Sequence, residues 1–230
     1  MAEQLTFDLP LRPAMGRDDF FVSDANAGAV GQIDGWRDWP AGKVVLCGAA
    51  GSGKTHLTHV WGAQVGAAWI VGAQDVTDLN LEGLARAPAL AVEDVDQLAG
   101  DGAAEERLFH LHNALAHRGA PLLLSGRNAP SRWGIKLPDL ASRMAQAGLA
   151  QLNAPDDALL MAVMMKRAFD RKLPLTPTIL SYAAPRLERS FTAADTFVAR
   201  VDALALSEKR KPTMTHARMA LAEMADDPSS

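Results

Sequence analysis

The sequence predicts an α/β fold, a parallel sheet wrapped by helices, followed by a smaller all-helical domain. Three observations predict it. Residues 48–55 read Gly-Ala-Ala-Gly-Ser-Gly-Lys-Thr, a glycine-rich turn between an apolar run and a helical pattern. From Lys43 to about Leu152 short apolar runs alternate with helical periodicity. Beyond Asn153 runs of strand character stop and helix cap signals follow one another. The 230 residues thus divide into a tail over 1–17, an α/β domain over 18–153 and a helical domain over 154–230, a length that suits one or two cores.

The strands expected are Val44–Cys47, Ala68–Val71, Ala89–Val92, Leu122–Ser125 and Ala150–Leu152. Their near-continuous apolar character fits strands covered on both faces. After the glycine-rich turn, Leu57, Val60, Trp61 and Val65 recur at helical spacing. In the second domain Asp156 and Asp157 cap a helix through about Arg171, and Thr176-Pro177 is a cap followed by proline at the first helical position. Ser190 starts a third helix to about Leu206, and Thr215 a fourth. Met1–Arg17 and Asp226–Ser230 lack periodicity and are expected to be mobile. No internal repeat occurs in the sequence.

Composition excludes several classes. A net charge of −4 and a pI near 5.8 argue against a broad basic face for unspecific DNA binding, and Lys209, Arg210 and Lys211 read as a solvated link between helices. The single cysteine, Cys47, forms no internal disulfide and reads as a small buried thiol. No apolar run approaches the roughly 18 residues of a membrane span, and the N-terminus lacks the regions of a signal peptide, so a cytoplasmic protein is expected. His56 with His59, and His110 with His112, lack a third ligand, which excludes zinc and leaves them surface or packing roles. Trp36, Trp39 and Trp61 read as packing residues.

Residues 48–55 fill every fixed position of the phosphate-binding loop G-x-x-x-x-G-K-[ST]. Gly48, Gly51, Ser52 and Gly53 let the backbone curl closely around phosphate oxygens, with amides and a helix dipole behind them. Lys54 is expected to reach the terminal phosphates, Thr55 to place its hydroxyl on Mg2+, and His56 to border the same site. The ligand class is ADP or ATP. The apolar strand Leu90-Ala91-Val92 ends in Glu93 and Asp94, the first chosen for the magnesium shell and the second to polarise an attacking water. Asp96 is expected to face outward. Leu122–Ser125 leads into Gly126-Arg127-Asn128, polar groups expected beside a γ-phosphate at the carboxyl edge of the sheet. In Leu137-Pro138-Asp139-Leu140-Ala141-Ser142-Arg143, Arg143 follows Leu140 by three residues. If Leu140 packs inward, the guanidinium lies at the rim, where its planar fork suits phosphate oxygens of a neighbouring subunit.

This order of phosphate loop, acidic strand end, polar strand end and Leu-Pro-Asp-Leu-Ala-Ser-Arg segment resembles the DnaA-related branch of the AAA+ ATPases, within it the Hda type of regulatory inactivator, over roughly residues 18–224. The resemblance implies a P-loop NTPase sheet with a small all-α lid. It implies that Arg143 is an arginine finger acting in trans and that Arg189, in Leu187-Glu188-Arg189-Ser190, is the lid arginine sensing nucleotide. Phe21-Val22-Ser23-Asp24-Ala25-Asn26 is similar to the segment that passes the adenine, which singles out Val22 and Asn26. Glu93 stands where the family more often has aspartate, and Arg127 where relatives tend to have an acid. Both departures bear on autonomous hydrolysis and less on binding.

Residues 4–9, Gln-Leu-Thr-Phe-Asp-Leu, resemble the peptide with which bacterial replication proteins dock on the DNA polymerase III sliding clamp. Gln4 is the polar hook, and Leu5, Phe7 and Leu9 are the apolar anchors. With so little length after Met224, the DNA-reading domain that follows the lid in initiators is not expected here. The function expected is therefore a nucleotide-binding regulator that meets the initiator DnaA, touches DNA through the clamp, and promotes hydrolysis of initiator-bound ATP. Self-association stays open. The alternatives are an initiator-like or helicase-loader-like AAA+ protein and a small-molecule kinase.

Overall fold

A computed structural model describes residues 20–226; Gln4, Leu5, Phe7 and Leu9 lie outside them. Five strands, β1 (Lys43–Cys47), β2 (Ala68–Gly72), β3 (Ala89–Glu93), β4 (Leu122–Gly126) and β5 (Gly148–Gln151), pair in the order β2-β3-β4-β1-β5. Every pairing is parallel, with Val44 opposite both Leu123 and Gly148. Such a sheet needs helices on both faces.

Strand side chains alternate between two cores, because successive Cβ atoms leave opposite faces. Val44, Leu46, Ala91 and Leu123 pack against α1 (Ala27–Asp34) and α2 (Lys54–Val65), with Ile33, Leu57 and Trp61 as the main partners. Val45, Leu90, Val92 and Leu124 point the other way. They meet α3 (Ala73–Asp78), α4 (Leu81–Ala85), α5 (Gly102–Arg118) and α6 (Pro138–Ala145) through Val76, Leu84, Leu111 and Leu140. A third core joins α7 (Asp157–Asp170), α8 (Pro177–Ala183), α9 (Phe191–Ser207) and α10 (Met214–Asp226) around Leu160, Met164, Phe197 and Val201. Trp39 stacks on Trp61 at 5.4 Å, while Trp36 is half-buried under Arg37.

Four strands and three cap residues lie where the apolar runs and side-chain chemistry place them. Asp156, Thr176 and Ser190 each accept a backbone N–H of the first turn they cap. Two expectations shift. The fifth strand begins at Gly148 and ends at Gln151, because the backbone register against β1, invisible in an apolar run, recruits a glycine and an exposed glutamine at the sheet edge. The fourth helix of the C-terminal region begins at Met214, with Thr213 rather than Thr215 contacting the His216 N–H at 3.4 Å. Lys209–Lys211 form an exposed link between α9 and α10, as expected. No described helix is long and apolar enough to cross a membrane.

The topology brings the carboxyl ends of β1, β4 and β3 side by side. The segment after β1 is the glycine-rich loop, and the segments after β3 and β4 carry Asp94 and Arg127.

Candidate functional site

The loop between β1 and α2 is shaped by close approaches that only glycine permits. A Cβ on Gly48 would stand 2.6 Å from Ser52 Oγ and 2.9 Å from the Leu152 carbonyl oxygen. Gly51 and Gly53 hold φ of +67° and +92°, in the left-handed region. Lys54, nearly buried, opens α2 and turns its ammonium back to the carbonyls of Gly48 and Ala49, at 2.9 and 3.1 Å. The charge is thereby fixed inside the curl of the loop. Ser52 Oγ is buried and finds no partner among the described residues, an oxygen suited to a ligand in the loop.

A cavity of about 500 Å3 opens over residues 50–56 of the loop, including Gly51, Ser52, Gly53, Lys54, Thr55 and His56. Phe20 and Phe21 form one wall, and the Phe20 ring meets His56 edge-on at 5.1 Å. The sheet contributes Asp94 and Arg127. From the C-terminal helices come Leu159, Val163, Lys166 and Arg167 of α7 and Phe191, Thr192 and Asp195 of α9. This concave, half-apolar space has the size of a small-molecule site. Its charged wall groups are four cations and two carboxylates, which favours an anionic ligand.

The acidic end of β3 divides in two. Asp94 lines the cavity in a left-handed conformation, φ +54°, its N–H donated to Ser125 Oγ at 3.1 Å. Glu93 is not in the wall; its Oε1 is buried and has no hydrogen-bond partner among the described residues. Asp96 departs from expectation. Instead of facing outward it turns in and accepts the Arg127 N–H at 3.1 Å, because the backbone donor leaving β4 is otherwise unpaired. Gly126 makes room for this, since a Cβ there would lie 3.0 Å from the Trp133 ring and 3.2 Å from Asp96 Oδ1. Asp96 thus holds the Arg127 backbone where it leaves β4, while Asn128 is exposed and its carbonyl takes the Trp133 indole N–H at 2.7 Å.

Besides Gly48 at the base of the loop, three residues expected at the nucleotide stand outside the cavity wall. Asn26 is buried and closes its own turn, donating to the Phe21 carbonyl and accepting the Ser23 N–H, both at 2.9 Å. It holds Phe20 and Phe21 in the wall rather than lining it. Val22 is half-exposed between them and the turn. Arg189 pairs with Asp157 at the start of α7, facing solvent. The wall residues that periodicity did not single out include Leu159, Val163 and Arg167, which recur every four residues along one face of α7. That spacing was the available signal.

On α6, Leu140 packs inward and Arg143 is exposed, as their three-residue spacing requires. Arg143 is also absent from this chain's own cavity wall. Its charge is felt at a buried pair beneath: Lys43 Nζ lies 2.9 Å from His112 Nε2. An ammonium only donates, so Nε2 accepts and the Nδ1–H is turned to Asn113 Oδ1 at 3.2 Å. Burial, then Arg143, holds the Lys43 ammonium below the usual lysine range, and burial, then Lys43, depresses His112. At the other end of β1 the Cys47 thiol donates to Gln151 Oε1 at 2.9 Å; burial pushes its pKa up, against the pull of Lys54.

No group of three His, Cys, Asp or Glu side chains suited to a metal exists among the described residues. A magnesium ion would be held differently, by the Thr55 hydroxyl, one strand-end carboxylate, water and ligand phosphates, as this cation commonly binds. The partnerless oxygens of Glu93 and Ser52 agree with that fit.

No protein-family model matches the chain. It is 28% identical over 181 residues to an uncharacterized protein of Haemophilus influenzae, covering 74% of this chain and 77% of the relative. It is 24% identical over 238 residues to the chromosomal replication initiator protein DnaA of Corynebacterium aurimucosum, covering 94% of this chain but 44% of that relative's length. Among solved structures, domain III of Thermotoga maritima DnaA superposes with a TM-score of 0.82 at 19% identity, over 94% of this chain and 98% of the domain. AMPPCP-bound DnaA from Aquifex aeolicus gives 0.74 at 17% identity, over 94% of this chain and 71% of that one. The fold is therefore the AAA+ fold of DnaA domain III, a parallel five-stranded sheet flanked by helices with a helical C-terminal region.

Proposed function

We propose that this protein binds an adenine nucleotide in the cavity over residues 50–56 and regulates replication initiation by promoting hydrolysis of ATP on the initiator, in the manner of the Hda type. The observation that carries the reading is the placement of two features in one DnaA-like fold. The glycine cradle closes under α9, and Arg143 stands exposed on α6, outside its own cavity.

The backbone amides of residues 51–55 and the Lys54 ammonium bind the diphosphate, and the two walls orient base and sugar between Phe20, Phe21 and the α7 face. Thr55 and Glu93 would hold Mg2+, which when bound would neutralise developing charge on the phosphates, with Asp94 placed to polarise a water. ADP serves as the resting ligand that keeps the helical region against the loop. Arg143 completes the site of a neighbouring initiator, where an arginine in trans is worth about 10³–10⁵ in rate. Gln4, Leu5, Phe7 and Leu9 tether the protein to the sliding clamp, which raises the local concentration of one partner near the other. The AMPPCP held by the Aquifex aeolicus protein supports the nucleotide, and the overall charge of −4 speaks against a DNA-assembling alternative.

The test measures initiator-bound ATP turnover with clamp loaded on DNA, adding this protein with or without ADP. Acceleration that requires ADP and is lost in a Gln4→Ala/Leu5→Ala double variant is expected. A protein that binds neither ADP nor ATP at millimolar concentration sinks the reading.

A further inference from the structure

We propose that Arg167, positioned by Asp195, is the cation through which the C-terminal helices grip the phosphates of the bound nucleotide, a task that falls to Arg167 and not to Arg189. The inference rests on the nucleotide reading above and adds a residue to that site.

The helical region offers two candidate arginines, and geometry separates them. Arg189 lies just before α9, and its guanidinium is spent on Asp157. It contributes nothing to the cavity wall. Arg167 lies in the wall, two turns along the α7 face that begins with Leu159 and Val163. Its Nε sits 2.7 Å from Asp195 Oδ1, an ion pair between α7 and α9. Asp195 Oδ1 is buried and has no hydrogen-bond partner among the described residues, so the Arg167 charge is what compensates it.

The pair stands over the phosphate loop. Thr192 and Asp195 are three residues apart and share one face of α9. Thr192 Oγ1 would be 2.9 Å from a Cβ on Gly51, and the Phe191 N–H is donated to the Gly51 carbonyl at 2.9 Å. The face that carries Asp195 is therefore the face that touches the loop. An arginine held to it by Nε keeps its outer fork for two phosphate oxygens, a geometry an ammonium cannot offer. Asp195 is a positioning residue, since it acts through Arg167.

ADP and ATP binding by calorimetry, on wild type, Arg167→Gln, Arg189→Gln and Asp195→Asn, tests the assignment. A charge-assisted phosphate contact corresponds to roughly a 10-fold to 100-fold loss of affinity for Arg167→Gln. Arg189→Gln is expected within about twofold of wild type, as for an exposed ion pair. Asp195→Asn is expected to lose less than Arg167→Gln, because the guanidinium remains. Equal losses in those two variants would mean that the pair only braces α7 on α9, and would overturn the assignment. So would a larger loss in Arg189→Gln, or wild-type affinity in Arg167→Gln. Should the glutamine variant not fold, Arg167→Lys retains a charge for Asp195; several-fold weaker binding is expected there, and unchanged affinity overturns the fork-like grip. Wild-type protein that binds no nucleotide removes the site itself, whereas a binding wild type with an indifferent Arg167 removes this inference alone.

Discussion

The Gly51 carbonyl oxygen accepts the backbone N–H of Phe191 at 2.9 Å, joining the phosphate loop to the first residue of α9. Amides in the first turn of a helix have no partner inside it. Here the loop supplies one, and it can do so only because Gly51 turns through φ +67° with Ser190 and Thr192 closing over it. Gly53 is pressed in the same way, since a Cβ there would lie 2.8 Å from the Phe191 ring. Gly53, at a fixed position of the loop motif, and Gly51, at a variable one, thus share a role as the floor on which the helical region rests.

Gly51→Ala and Gly53→Ala are accordingly expected to loosen that contact. Forcing alanine to positive φ costs roughly 1–2 kcal/mol before the clash is counted. Native-state hydrogen exchange is expected to rise at residues 188–194, with nucleotide affinity falling alongside. Unchanged protection of those amides in both variants would refute the coupling.

Arg143→Ala separates partner chemistry from folding. The side chain is exposed on α6 and outside the cavity, so stability is expected within about 0.5 kcal/mol of wild type. ADP affinity is expected to be unchanged. Stimulation of initiator-bound ATP hydrolysis is expected to fall about 10³-fold. Wild-type stimulation by the variant counts against the role in trans.

Much of this was legible in the chain because the relevant signals are local. The phosphate loop needs glycine at fixed steps, strands buried on both faces need unbroken apolar runs, and Asp156, Thr176 and Ser190 cap the helices that follow them. What the sequence did not display depends on long-range register or on which of two neighbours a polar group prefers. Asp96 looks solvated until the backbone N–H of Arg127 is brought beside it from β4. Asn26 looks like a ligand contact until it closes the turn that puts Phe20 and Phe21 in the wall. Arg167 is one arginine among several until α9 docks on the loop and delivers Asp195 to it.

Glu105 is a buried carboxylate that holds the approach to α6. It accepts the N–H groups of Gly100 at 2.7 Å, Lys136 at 3.0 Å and Leu137 at 2.7 Å, the last being the residue that caps α6. Burial alone would raise its pKa, but the three donors outweigh it and hold the carboxyl below the usual range. Glu105→Gln offers one acceptor where two served, and an NH2 that faces donors, so a loss of about 2–3 kcal/mol is expected in urea unfolding. A loss under about 0.5 kcal/mol, the scale of an ordinary surface change, would contradict this account. The sign with pH follows from the lowered folded pKa. The contribution is complete above the ordinary glutamate value and disappears as pH falls through the folded one.

The Lys43–His112 pair makes stability depend on pH in a different window. His112 is buried, accepts from the Lys43 ammonium, and has Arg143 as a further cation nearby. Asn113 favours the charged imidazole but is outweighed by burial and Lys43, so the folded pKa lies below the ordinary histidine value. An unfolded chain then binds more protons than the folded one below about pH 6.5, the unperturbed value. Stability is therefore fully present above that value and declines as pH falls toward the folded pKa, well before Glu105 begins to titrate. His112→Gln keeps an acceptor for Lys43 without the titration. Its melting temperature is expected to fall less than that of wild type between pH 7 and about pH 5.5, a span set by the ordinary histidine value. Arg143→Ala removes one of the depressing charges, so the His112 titration followed by NMR is expected to move upward. Parallel pH profiles for wild type and His112→Gln, or a downward movement in Arg143→Ala, would break the electrostatic link between this buried pair and the arginine on α6.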